Sequence, residues 1–401
     1  MSDSTSPRGE ILVNDRCLYR GGTGVAMYLH NVLRHWPGNA EHQLTGLCTH
    51  LLHRRDWPNP CRRDADLFKP LPLRPLRELD RSRRLPWRLG HPVRHHLQRS
   101  YAAAFAARSR HRCVAAVWEP NHLAIPTPLP TVTTVHDLSV LDHPQWHPAD
   151  RVAWYETDVA PARATTQRWI TPSQFTADRL AALLAVRPDT IDVIPEAPRE
   201  LRPPPGEPVD LLSHLGLDRP FVLHLGTLEP RKNIPLLLDA WQAVSPATRA
   251  DATLLLAGSV GWGDAPYCRA LADHPAADDV LMCGYVSDVQ AAALLTGAKA
   301  TLVPSTYEGF GLPIVEAMAA PSPVLCSDIP VFREVAAQAA TLLDPGDATL
   351  WARAIERALS DEDWRDERMA VGLEHVRQFS WERTAAEHRR VIEATIAERP
   401  R

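Results

Sequence analysis

The chain has 401 residues, 45% hydrophobic and 23% charged, and carries a net charge of −4. That length is too great for one core of ordinary size, so two domains are expected. Apolar runs such as "ATLLLAG" and "FVLHL" fall far short of the ~20 residues of a membrane-spanning helix, and "MSDSTSPRGEILV" lacks the basic-then-apolar pattern of a secretory signal. Seven cysteines (17, 48, 61, 113, 268, 283 and 326) include no CxxC pair. They read as reduced thiols rather than a disulfide frame or a zinc site, which predicts a cytoplasmic setting.

In chain order, "EILVN" reads as a first strand, followed by the loop "DRCLYRGGTG" and a helix through "VAMYLHNVLRHW". "CVAAVWEP" and "TVTTVHDL" read as buried strands ending in polar residues. "RWITPSQFTADRLAALL" is strand, turn and helix with Ser173 as N-cap, and "TIDVIPEAP" closes this half. The proline-rich "RELRPPPGEPVDLLSHLGLDRP" predicts a linker. A second alternation then begins at "FVLHLGTLEPRKNIPLLLDAW" and runs through the strands "ATLLLAG", "VLMCGYV", "ATLVPS" and "SPVLCS". The last segment, "SWERTAAEHRRVIEATIAE", has amphipathic helical spacing. Short apolar runs alternating with helical patterns predict an α/β fold of parallel sheets wrapped by helices. Such sheets bind ligands at the carboxyl ends of their strands, so the informative loops are "GGTG", "HDL", "GTLEPRKN" and "STYEGFGLP".

In "STYEGFGLPIVEAMA", Pro313 suits a first helical turn, while Gly309 and Gly311 let backbone approach a ligand closely. Free N–H groups there suit a phosphate or a sugar hydroxyl. Glu308 before the helix and Glu316 about a turn inside would reach two parts of one ligand. Carboxylates pair with vicinal hydroxyls, which points to a sugar and a ribose. The plain alternative makes Glu316 a solvated helix residue and Glu308 an anion on the helix dipole. In "GTLEPRKN", Arg231 and Lys232 follow a strand, where a fork-shaped guanidinium and a compact ammonium would neutralise a diphosphate. Only Lys69, Lys232 and Lys299 are lysines in this arginine-rich chain, so an ammonium is wanted at 232; a solvated basic turn is the bland alternative. "GGTG" is a weak anion-binding signal without the GxGxxG spacing. His136 stands at a strand end, where such histidines are more often structural.

Together these loops resemble the retaining glycosyltransferases of family 4. The likeness rests on "HLGTLEPRKNIPLLLDAW" and "GYVSDVQAAALLTGAKATLVPSTYEGFGLPIVEAMA", with an E-x7-E motif met by Glu308 and Glu316. "GGTGVAMYLHNVL", "TVHDLSVLDHP", "ITPSQFTADRL" and "SDIPVFREV" are similar to further blocks of that family. The resemblance implies a GT-B fold, two Rossmann-like parallel-sheet domains facing across a cleft. They would span 1–196 and 206–379, with a terminal helix at 380–401 rejoining the first. It implies that Arg231 and Lys232 hold a donor diphosphate, Glu316 the ribose hydroxyls and Glu308 the donor sugar. The backbone from Gly309 through Phe310 and Gly311 to Leu312 would support sugar and phosphate. His136 would face the reacting sugar, and Gly22 and Gly24 would lie in a loop closing over the donor. Pro321 departs from the family's usual glycine and alters a helix-ending turn.

The implied activity is transfer of a hexose from a nucleoside-diphosphate sugar to a glycan or lipid-linked acceptor, without bound metal or other cofactor. GDP-mannose is the favoured donor, because "GTLEPRKN" and "HDL" look like bacterial mannosyltransferases of polysaccharide assembly. A sugar-nucleotide epimerase or hydrolase of the same fold, or a silent sugar-nucleotide-binding protein, are the rival readings. Between Arg54 and Arg112 stand 16 Lys and Arg against 5 Asp and Glu, a local +11. With Leu85, Trp87 and Leu89 among the arginines, this stretch suits the anionic inner face of a membrane, or is an arginine-rich solvated surface. No nucleic-acid recognition motif accompanies it.

Overall fold

The computed structural model describes residues 9–20, 24–38, 42–46, 68–70, 99–201, 219–259 and 270–398. Gly22, most of the basic stretch 54–112 with the arginine cluster around Trp87, and linker residues 202–218 lie outside the described residues. No helix among the described residues is long and apolar enough to cross a membrane.

Thirteen strands form two sheets among the described residues. The first contains β1 (Gly9–Val13), β2 (His42–Gly46), β3 (Phe68–Pro70), β4 (Val114–Glu119), β5 (Thr131–Thr134), β6 (Arg168–Thr171) and β7 (Ile191–Val193). The second contains β8 (Phe221–Leu225), β9 (Thr253–Ala257), β10 (Val280–Gly284), β11 (Ala300–Val303), β12 (Val324–Ser327) and β13 (Thr341–Leu343). Their orders are 3-2-1-4-5-6-7 and 10-9-8-11-12-13, and pairings such as β1 with β4 and β8 with β11 are parallel. The α/β architecture expected from the alternation is present in both halves.

β8, β9, β11 and β12 are buried and largely apolar because the middle of the second sheet is covered on both faces. In β8 the side chains alternate between two cores. Leu223 and Leu225 pack with Leu294, Ile314 and Phe332 on one face, and Val222 packs with Leu237, Trp241 and Trp351 on the other. Pro313 lies in the first turn of the helix Leu312–Ala319. Ser173 caps Gln174–Leu184, its hydroxyl accepting from the Thr176 N–H at 3.1 Å.

After the second sheet the chain returns. The helix Trp381–Ala397 buries Trp381, Ala385, Val391 and Ile392 among Ile11, Val13 and Trp118 of the first core. Its Trp381 Nε1 donates to the Pro198 carbonyl at 2.9 Å. Trimming Trp381 to alanine would cost ~3–5 kcal/mol of that core.

Strand order reverses between β1 and β4 in one sheet and between β8 and β11 in the other. In open parallel sheets these reversals open the binding crevice. The loop after β8 carries "GTLEPRKN" and the loop after β11 carries "STYEGFG", so the topology puts the two most informative segments side by side.

Candidate active site at the crevice of the second sheet

The loop after β8 is shaped by its own residues. Pro230 opens a single 3-10 turn through Lys232, and Asn233 takes a left-handed conformation (φ 52) before the helix Ile234–Ala243. Asparagine tolerates that region better than most residues. The turn directs Arg231 and Lys232 toward the β11 loop, where both meet Glu308. Arg231 Nη1 donates to Glu308 Oε2, and Lys232 Nζ donates to Glu308 Oε1. Ser305 Oγ adds a third hydrogen bond to Oε1 at 2.9 Å, while Arg231 Nε pairs with Glu229 Oε1 at 2.5 Å.

Lys232 and Glu308 are 6% and 7% exposed, so a solvated basic turn does not describe them. Burial alone would raise the Glu308 pKa, but Arg231 and Lys232 bring it down to about 2. From the first domain, Asp137 joins the same field. Burial opposes its charge, yet the Arg231 guanidinium and hydrogen bonds from Ser139 hold it far below the usual carboxylate range. Arg231 and Lys232 therefore share this field with Glu229, Glu308 and Asp137, and Arg151 acts on Asp137 and Glu229 as well. An anionic ligand entering here must take over the hydrogen bonds that Glu308 now receives.

Glu316 sits in the helix Leu312–Ala319 at 4% exposure rather than on a solvated face. Arg199 grips it with both sides of its fork, Nε to Oε1 at 2.5 Å and Nη2 to Oε2 at 2.9 Å. Its remaining terminal nitrogen donates to Asp288 at 2.7 Å. Arg199 carries no motif and lies in the proline-rich connection, so nothing in the sequence singles it out. Glu229 and Asp137 stand inside the informative loops, yet the sequence assigns them no role.

Gly309 and Gly311 make close approaches within the protein itself. A Cβ on Gly309 would overlap the His136 carbonyl oxygen and stand 2.8 Å from its carbon. The close approach at Gly309 is therefore to the first domain's own backbone. The Gly309 carbonyl in turn accepts from Ser173 Oγ at 2.6 Å and Thr176 Oγ1 at 3.0 Å. Gly311 has φ +113, and a side chain there would meet the Phe332 ring at 2.9 Å. Phe310 is buried with its ring 5.6 Å from that of Phe379, so only its backbone is available to a ligand. Leu312 opens the helix and packs partly on the core. Gly24 is the first residue of the helix Gly24–Arg34 rather than a loop residue.

Two more contacts clasp the halves. Tyr307 Oη donates to Asp142 at 2.9 Å, and Glu334 accepts from the N–H groups of Gln174 and Phe175 at 2.6 and 3.1 Å. His136 has both ring nitrogens engaged within the first domain, Nδ1 with Glu196 and Nε2 with the Pro120 carbonyl, each at 2.9 Å. Both partners are acceptors, so the ring donates twice. Burial works against its charge, but these bonds raise its pKa above the ordinary value. A ring that donates from both nitrogens has no lone pair left to accept a proton.

Residues 213–372 match the family model described as glycosyl transferases group 1. The O-antigen chain mannosyltransferase B of Escherichia coli is 34% identical over 261 residues, covering 63% of this chain and 67% of that protein. A phosphatidyl-myo-inositol mannosyltransferase of Mycobacterium leprae (strain TN) is 36% identical over 180 residues, 44% of this chain and 46% of the relative. The crystal structure of Anabaena Alr3699/HepE in complex with UDP and glucose superposes with TM-score 0.69 at 17% identity, covering 96% of this chain and 100% of that one. That of WaaG, a glycosyltransferase involved in lipopolysaccharide biosynthesis, does so with TM-score 0.65 at 14% identity, covering 96% and 98%. The two facing sheet domains are thus the GT-B fold, and the chain belongs to the group 1 glycosyl transferases.

Proposed function

We propose that the protein is a retaining hexosyltransferase that moves mannose from GDP-mannose to a glycan or lipid-linked glycan acceptor. The observation that carries this reading is the convergence of Arg231 and Lys232 on one buried carboxylate at the reversal point of the second sheet. A diphosphate would replace Glu308 as their partner. As the sugar–phosphate bond breaks, charge develops on the leaving phosphate oxygen, and two cations fixed beforehand stabilise it without reorganisation. Glu308, released, would accept from hydroxyls of the donor sugar, and Glu316 from the ribose hydroxyls. The mannosyltransferase names of the Escherichia coli and mycobacterial relatives support mannose. The HepE complex contains UDP and glucose, so UDP-sugars belong in the same test.

The doubly donating His136 does not suit a general base. Retention then rests on a phosphate oxygen of the departing diphosphate taking the acceptor proton on the same face. The test is a panel of GDP-mannose, UDP-glucose and other nucleotide sugars, with and without glycan acceptor, following nucleoside-diphosphate release and the anomeric configuration of the product. GDP release that requires acceptor, with an α-mannoside formed, is expected. A β-linked product would overturn retention. Donor consumption without acceptor would favour the epimerase or hydrolase reading.

A further inference from the structure

We propose that His224 is a positioning residue, its Nε2 anchoring the Lys232 ammonium as that group passes from Glu308 to the donor diphosphate; this rests on Lys232 being a diphosphate ligand. His224 is the fourth residue of β8 and only 2% exposed. A histidine within a parallel strand is out of place among Phe221, Val222, Leu223 and Leu225. Its Nδ1 lies 3.1 Å from the Leu302 carbonyl in β11. A carbonyl can only accept, so Nδ1 carries the proton and Nε2 presents a bare lone pair. That Nε2 is buried and has no hydrogen-bond partner among the described residues. Buried acceptors are nearly always satisfied, and an exception calls for an explanation.

The geometry supplies one. A side chain on Gly226 would begin 3.6 Å from His224 Nε2 and 3.9 Å from Lys232 Cε. The open ring edge and the last methylene of the lysine thus border the same point, where β8 ends at the reversal crevice. Lys232 and Glu308 are the charged side chains that act on this ring. Burial first, and the Lys232 ammonium second, keep the imidazole neutral, with its pKa down at about 4. An ammonium has three N–H donors in a tetrahedral spread. One now meets Glu308; a diphosphate oxygen would claim another; His224 Nε2 is placed to take a third. A neutral acceptor suits this task. A further carboxylate would also hold the lysine, but it would cancel the charge that the leaving group needs.

The test measures inhibition by inorganic pyrophosphate, kcat and donor KM in the full-length protein carrying His224→Phe, His224→Gln or Lys232→Ala. Phenylalanine keeps the ring volume and removes the acceptor, whereas glutamine restores an oxygen near the Nε2 position. His224→Phe should lower kcat about 10-fold and weaken pyrophosphate by a similar factor, with donor KM raised less and melting temperature held or increased. His224→Gln should recover most of the loss, which a merely structural role would not require. In a Lys232→Ala background His224→Phe should add nothing, since the two act as one unit. If His224→Phe does not fold, His224→Leu replaces it under the same expectations. Unchanged kcat and pyrophosphate inhibition in the apolar variant, or full additivity with Lys232→Ala, overturns the proposal. If Lys232→Ala itself leaves pyrophosphate inhibition unchanged, the diphosphate reading fails instead.

Discussion

Arg199 and Glu316 form a two-point hydrogen bond across the junction of the two domains, and this uses the carboxylate face that a vicinal diol would need. A guanidinium fork and a ribose cannot occupy that face together. Asp288, already bonded to the third nitrogen, offers Arg199 a place to turn to. Arg199→Met should therefore bind nucleoside diphosphate about 10-fold more tightly than the parent, worth ~1.4 kcal/mol. Because Glu316 is then buried without a partner, the free variant should melt lower and gain more on ligand addition. Calorimetric titration and melting with and without ligand check this; weaker binding in the variant would mean that Arg199 orients Glu316 rather than competes for it.

Glu308 holds two cations that the donor needs, so its removal should split binding from chemistry. Glu308→Gln frees Arg231 and Lys232 and should tighten pyrophosphate about 10-fold. The same change should lower kcat ~100-fold, if the sugar contact strengthens as charge develops. Parallel loss of both quantities would contradict the exchange.

Lys232→Ala should lower transfer at least ~100-fold, the usual effect of losing one preorganised charge opposite a developing anion. Arg231→Lys should also be poorly tolerated, because a point charge does not replace a fork gripping Glu229 and Glu308 together. Steady-state kinetics on protein with an unchanged circular dichroism spectrum provide the measurement.

Gly309 and Gly24 should respond oppositely to alanine. At Gly309 the new methyl meets backbone of the other domain, which cannot swing aside. The halves must part, weakening the Ser173 and Thr176 hydrogen bonds to its carbonyl. Gly309→Ala should lower the melting temperature by about 5 °C or more, given overpacking costs of ~1–3 kcal/mol. Gly24 begins a helix, and a methyl added there would meet no described atom within 4 Å. Gly24→Ala should therefore be neutral or stabilising by up to ~1 kcal/mol. Differential scanning calorimetry of the two variants decides.

Glu119 gives the fold a pH signature of its own. Burial raises its pKa to about 8, against the opposing Arg16 charge and the hydrogen bonds from Asn14 and the Asn121 N–H. The folded state thus keeps the proton while the unfolded chain loses it near pH 4.5. The stability this group contributes is complete below pH 4.5 and is lost as pH rises toward 8. Urea titrations at several pH values should show the parent losing stability relative to Glu119→Gln across that window and no further loss above it. A flat difference would remove Glu119 as the source.

Much of the site was legible because its parts are local. A strand's apolar run, Pro313 at a helix start and the glycines around Phe310 are visible within a dozen residues. Those signals single out Arg231, Lys232, Glu308 and Glu316 as candidates, and the resemblance to family 4 supplies the roles expected of them. What resisted reading was the identity of each partner. Gly309 signals a close approach, but the sequence does not say whether ligand or protein approaches, and here it is the His136 carbonyl. Arg199 meets partners 89 and 117 positions away from a stretch whose prolines suggest only a spacer. His136 reads as a cleft residue, yet Glu196 and Pro120 claim its ring through contacts that no local pattern encodes.

The terminal helix carries a consequence for how the chain is made. Trp381, Ala385, Val391 and Ile392 belong to the core built around Ile11 and Trp118, so the half synthesised first is the half completed last. During synthesis the second sheet can close while the first still exposes the groove that this helix fills. An emerging chain would thus carry an open apolar flank until residues 381–397 have left the ribosome, which makes that flank the natural point for chaperone capture.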